Sequence, residues 1–156
     1  MAFYAQTSGI QSTNSGSFVP IPGLGLTIPG GVGTTGYCMG GPMVFRTAGS
    51  LPKRIGAGCT FHGGGLTTDK PDSPHLLIPK MKSSMLIAIA DNDDQKQPES
   101  KDILRKAFDD AKLKAEIEVY KGANHGWMPP DSQNYNAEAA ERGWARKLEL
   151  FKKALA

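Results

Sequence analysis

From residue 32 onward two apolar patterns alternate along the chain. "VGTTG", from Val32, is short and extended. A cysteine turn follows, and the spacing then predicts a helix over residues 39–48. "IGAGCTF" (Ile55–Phe61) reads as a buried strand. "HLLIPKMKS" predicts one helical turn closed by Pro79. "SMLIAIA" (Ser84–Ala90) is apolar almost throughout, as in strands of parallel sheets covered on both faces. Ile103, Leu104, Ala107, Phe108 and Ala111 then form one helical stripe. Pro98 suits the first turn of that helix, and Glu99 its positive end. "EIEVYKG" alternates and reads as a strand. A last helix begins near Asn136, a good cap, with the stripe Ala137, Ala140, Trp144, Leu148 and Phe151. The order βαβ(α)βαβα argues for an α/β fold, a mostly parallel sheet of about four strands with flanking helices.

Residues 1–31 show neither period. They are rich in Gly, Ser, Thr and Pro, and no Lys, Arg, Asp or Glu occurs before Arg46. Such a segment buries too little to offset its ordering entropy. It is expected to be a low-complexity, disordered leader, with the folded domain over residues 32–156. The 156 residues suit one domain. Lys and Arg number 18 against 15 Asp and Glu, a formal charge of +3 with no dense basic cluster, which argues against nucleic acid. The longest apolar run, residues 85–90, is too short to span a bilayer, and the N-terminus lacks a signal-peptide pattern. Two cysteines make no disulfide framework and point to a reduced, cytoplasmic setting.

The candidate chemistry lies in "GYCMGG", which contains G-x-C-x-G over Gly36, Tyr37, Cys38, Met39 and Gly40. This is the thiol form of the nucleophile elbow: a strand turns sharply into a helix and the nucleophile sits strained at the corner. A side chain two positions either way would clash, hence Gly36 and Gly40. The corner exposes the Cys38 sulfur at a helix N-terminus, whose dipole favours a thiolate, and the Met39 N–H can face a developing oxyanion. A plain cysteine in a glycine-rich turn is the bland alternative. An acid and a histidine follow in the order that the elbow requires. His125, in "GANHGWMPPD", lies between the fourth strand and the last helix, where a base is expected. Asp91, Asp93 and Asp94 follow the strongest strand and are the candidate acids; spacing does not choose among them. His62 opens "HGGG", expected to be a cleft-lining loop over residues 62–65, because an oxyanion loop of that kind precedes its nucleophile. His75 is expected to be structural or exposed. A metal site from Cys38, Cys59, His62 and His125 is a weaker rival, since Cys59 sits mid-strand and points into the core.

"GYCMGG", "AIADNDDQKQPES", "EVYKGANHGWMPPD" and "NAEAAERGWARKLELF" together resemble the C-terminal half of dienelactone hydrolase family proteins, over residues 32–155. The resemblance implies a partial α/β-hydrolase fold and hydrolysis of small esters or lactones, with neither metal nor organic cofactor. It implies Cys38 as nucleophile, His125 as base and Asp93 as the triad acid. Tyr37 and Trp127 match positions flanking nucleophile and histidine, and so become candidate substrate-binding residues. A full member of the family has further strands before the elbow. These carry a second oxyanion N–H and an acidic residue that helps control the thiol; here an uncharged leader stands in their place. The expectation is an elbow strand left as an exposed edge, self-association through it, and poor turnover. A non-catalytic remnant or interaction module of the same fold is the rival. The expected partner is a small ester or lactone, with neither nucleic acid nor membrane.

Overall fold

The computed structural model describes residues 31–155. The expected leader lies outside them but for its last glycine. Four strands form one sheet in the order β1-β2-β3-β4: β1 (Val32–Tyr37), β2 (Ile55–Phe61), β3 (Ser84–Ala90) and β4 (Ala115–Tyr120). All three pairings are parallel. Every strand therefore ends on the same side, and ligands of open parallel sheets bind beyond those carboxyl ends. Among the described residues β1 is an outer strand.

Helices cover both faces. On one side α1 (Gly40–Ser50) and α3 (Ser100–Asp110) bring Val44, Phe45, Leu104 and Phe108 against Met85, Ile87 and Ile89. Phe45 and Phe108 meet edge to face, with ring centroids 6.2 Å apart. Burial of each ring contributes about 2–3 kcal/mol. On the other side α4 (Ala137–Ala154) closes over Cys59, Phe61, Leu86, Ala88 and Tyr120. Asn136 caps α4 as expected, its side chain accepting from the Ala139 N–H at 3.0 Å.

Several boundaries differ from the sequence reading. Helix α1 starts at Gly40, with Met39 at its N-cap, and runs on to Ser50. The "HLLIPKMKS" turn is a 3-10 helix over Pro74–Lys80 that contains Pro79 rather than ending there. Helix α3 begins at Ser100 with Glu99 at its cap, so Pro98 stands just outside, and Ile103 faces solvent. The aspartate segment after β3 is a short helix, α2 (Asp91–Lys96). Its first turn carries Asp91, Asp93 and Asp94, which suit the positive end of a helix.

The α4 stripe is displaced. Ala140, Gly143 and Lys147 face the sheet, whereas Trp144 and Leu148 are 40% and 49% exposed. Gly143 is the cause: a Cβ there would lie 2.9 Å from the Trp127 ring and 3.0 Å from Phe61. The helix comes close through its smallest residue, and that rotates its large apolar side chains outward.

Candidate active site

The corner between β1 and α1 is tight. Cys38 has φ 52°, the left-handed region that costs a non-glycine residue about 1–2 kcal/mol. Its N–H donates to the Phe61 carbonyl at 3.1 Å, and its carbonyl accepts from Gly41 at 3.0 Å. Strand pairing thus runs to the corner and the helix begins at once. A Cβ on Gly36 would overlap the Gly40 carbonyl and approach Val44 Cγ2 to 2.8 Å, so only glycine fits there. Met39 is 59% exposed at the helix N-cap, where backbone N–H groups lack helical acceptors.

The structure brings Cys38, His125 and Asp93 together. His125 Nε2 lies 3.0 Å from Cys38 Sγ, and His125 Nδ1 lies 2.5 Å from Asp93 Oδ2. Side chains that the sequence reading did not single out fix the histidine's backbone. Its N–H donates to Asn92 Oδ1 at 2.8 Å, and its carbonyl accepts from Asn134 Nδ2 at 2.8 Å. Asn92 lies in the aspartate segment and Asn134 in the loop after "NHGW", but nothing in their spacing gave them a partner.

The three carboxylates of α2 have separate tasks. Asp91 accepts from the Gly122 N–H at 2.9 Å and from Lys121 Nζ at 3.1 Å, tying the end of β3 to the turn after β4. The Gly122 hydrogen bond, then Lys121, holds its carboxyl below the usual range. Asp94 pairs with Lys101 at 2.7 Å. Asp93 alone reaches His125.

Tyr37 is half-buried and stacks on Phe61, with centroids 5.4 Å apart; burial raises its phenol pKa. Trp127 is wholly buried, stacked on Tyr120 at 4.7 Å and edge-on to Phe61 at 5.8 Å. It props the site from below and presents no surface to a substrate. Gly63, Gly64 and Gly65 line a cleft of about 150 Å³ together with Asp93, Lys96 and Ser100. His62 does not line that cleft; it is fully buried beside His125. His75 Nδ1 lies 2.7 Å from Ser73 Oγ, away from the site. Burial pushes the Cys59 thiol up to about 12, so it stays protonated. Among the described residues no three His, Cys, Asp or Glu side chains gather as a metal site, and no helix is long and apolar enough to cross a membrane.

A sharp strand–helix corner with a cysteine at its tip, facing a histidine and an aspartate beyond parallel strands, is a set of features that comparison can test. The sequence model of the Dienelactone hydrolase family matches residues 25–155. The chain belongs to the dienelactone hydrolase family. A protein of Escherichia coli (strain K12), provisionally named a carboxymethylenebutenolidase, is 34% identical over 122 residues, 76% of this chain and 44% of that protein. A provisionally assigned dienelactone hydrolase of Klebsiella pneumoniae superimposes with a TM-score of 0.69 at 25% identity, covering 78% of this chain and 51% of the other. The dienelactone hydrolase of Anabaena variabilis shares the fold, with a TM-score of 0.55 at 17% identity over 80% of this chain and 50% of that one. The chain thus spans about half the length of these dienelactone hydrolase relatives, and its four parallel strands are part of their α/β-hydrolase sheet.

Proposed function

We propose that the chain hydrolyses small esters or lactones through a Cys38–His125–Asp93 triad. The observation that carries this reading is the unbroken row of contacts, 2.5 Å from Asp93 to His125 and 3.0 Å from His125 to Cys38. The Cys38 thiolate attacks the carbonyl carbon, and the oxyanion forms towards the Met39 N–H. The C–O bond to the leaving oxygen breaks, and the His125 imidazolium gives that oxygen its proton. His125 then takes a proton from water, which attacks the thioester and releases the acid and the Cys38 thiolate. Asp93 holds the imidazole in the tautomer that points Nε2 at sulfur, and it stabilises the imidazolium. Tyr37 precedes the nucleophile in the chain and packs on Phe61 beside it. The family and the names of the relatives favour a hydrolase; the lactone preference rests on those names. Among the described residues the Met39 N–H stands out as an oxyanion donor, and loss of one such donor lowers a rate by about 10²–10³.

The test is hydrolysis of an activated aryl ester, with mass spectrometry of the quenched enzyme. Expected are slow turnover, an acyl adduct on the peptide that holds Cys38, and loss of both in Cys38→Ala. Turnover that survives Cys38→Ala refutes the triad. A second reading, an interaction module without catalysis, draws on β1, an uncharged strand that is outermost among the described residues. It predicts a folded chain that forms no adduct and self-associates through β1, visible by size-exclusion chromatography.

A further inference from the structure

His62 is the least explained residue near the site. It is 0% exposed, and neither ring nitrogen has a hydrogen-bond partner among the described residues. Its backbone is also strained, with φ 42°. Buried unpaired nitrogens and a left-handed backbone both cost stability, and glycine or asparagine would suit that backbone better. Only the backbone N–H is anchored, donating to the Ala88 carbonyl at 2.8 Å.

What the ring touches is informative. Its centroid lies 5.0 Å from that of His125, edge to face at 60°. Trp127 backs it at 5.8 Å, and Tyr37 lies at 6.2 Å. Both nitrogens of His125 are engaged, one by Asp93 and one by Cys38. Those two contacts hold the ring at one atom each, and no hydrogen bond resists a tilt of its faces through the side-chain torsions. A rigid aromatic wall against the ring removes that freedom.

We propose that His62 is a positioning residue for His125: its buried ring, wedged between Trp127 and His125, stops the base from rocking out of line with the Cys38 sulfur. The proposal rests on the triad reading above. The charged and titratable groups around His62 are His125 and Asp93 beyond its ring and the Tyr37 phenol at its side. Burial, then the nearness of His125, pushes His62 down to about 4, so the wall is neutral at ordinary pH and does not compete with His125 for its proton.

The experiment measures iodoacetamide alkylation of Cys38 at pH 6 and pH 9.5 by peptide mapping, taken as a ratio within each protein. An aligned imidazolium keeps sulfur reactive in acid, whereas at pH 9.5 a thiol reacts without that help. His62→Asn tolerates the backbone but removes the ring; His62→Phe keeps a ring and removes the nitrogens. Expected is a fall of about tenfold or more in the pH 6 to pH 9.5 ratio for His62→Asn, and a near wild-type ratio for His62→Phe. Protection of Cys59 certifies the fold in each case. Should His62→Asn expose Cys59, His62→Gln serves as the ringless variant. An unchanged ratio in the ringless protein overturns the proposal, and so does an equal fall in His62→Phe. His125→Asn separates the two readings: if it leaves the ratio unchanged, the triad reading fails as well; if it lowers the ratio while the ringless His62 variant does not, only the positioning role is lost.

Discussion

Replacing Lys147 by methionine should make the protein more stable. Lys147 faces the sheet from α4 and is only 3% exposed. No carboxylate pairs with it among the described residues; its Nζ instead lies 3.1 Å from the centroid of the Trp144 ring. Burial pushes its pKa from 10.5 down to about 8. At about 1.36 kcal/mol for each pH unit, that fall represents roughly 3 kcal/mol of penalty on the charged form. The cation–π contact offsets about 1 kcal/mol. Methionine keeps most of the alkyl packing and removes the charge, so the expected gain at pH 7 is about 2 kcal/mol. The pH dependence follows from the direction of the shift. Below pH 8 the lysine is charged in both states and the full penalty stands. Between pH 8 and 10.5 the native state sheds the proton first, so the wild type gains stability relative to the variant. Cys59 and Tyr120, both pushed up to about 12 by burial, act in the opposite sense at high pH. Tyr120 cancels in the difference; Cys59, whose thiol the Lys147 charge pulls down, cancels only in part. Urea unfolding of both proteins at pH 7 and pH 10 supplies the numbers. A variant no more stable at pH 7, or a stability gap as wide at pH 10 as at pH 7, would refute the reasoning.

Three further outcomes are expected. Asp93→Asn should lower activated-ester turnover by about 10²–10⁴, because an amide cannot stabilise the imidazolium, and Asp91→Asn by far less; the reverse order of rates means that the acid is misassigned. Gly36→Ala should cost about 1–3 kcal/mol or more, since its Cβ meets the Gly40 carbonyl and Val44, and thermal unfolding measures this directly. Native alkylation should mark Cys38 and spare Cys59, which is wholly buried; equal marking by peptide mapping contradicts the accessibility argued for the elbow.

The sequence made some of this legible because certain residues have few other uses. Asn136 ahead of an apolar helix reads as a cap, and it is one. Gly36 two residues before Cys38 reads as a close approach, and the Gly40 carbonyl occupies that space. β3 is apolar on both faces because helices cover both. What stayed hidden depends on contacts between distant segments. Asp91, Asp93 and Asp94 have the same chemistry, and only the arrival of Lys121, His125 and Lys101 tells them apart. Asn92 and Asn134 gain meaning only from the backbone of His125. The outward turn of Trp144 and the burial of Lys147 follow from Gly143, which a reading of large apolar residues passes over. His62 looked like part of a glycine loop, but its backbone takes a positive φ and its ring is buried against His125 and Trp127.

The Cys38–His125 contact joins residues 87 positions apart. Three strand pairings lie between them, in the same order in the sheet as in the chain. Closing a loop of that length costs about 4 kcal/mol in chain entropy alone, too much for one hydrogen bond to repay. The contact therefore forms only after β4 has docked. During synthesis the thiol leaves the ribosome well before His125 does. The thiol's contact with the imidazole therefore reports that all four strands are in place.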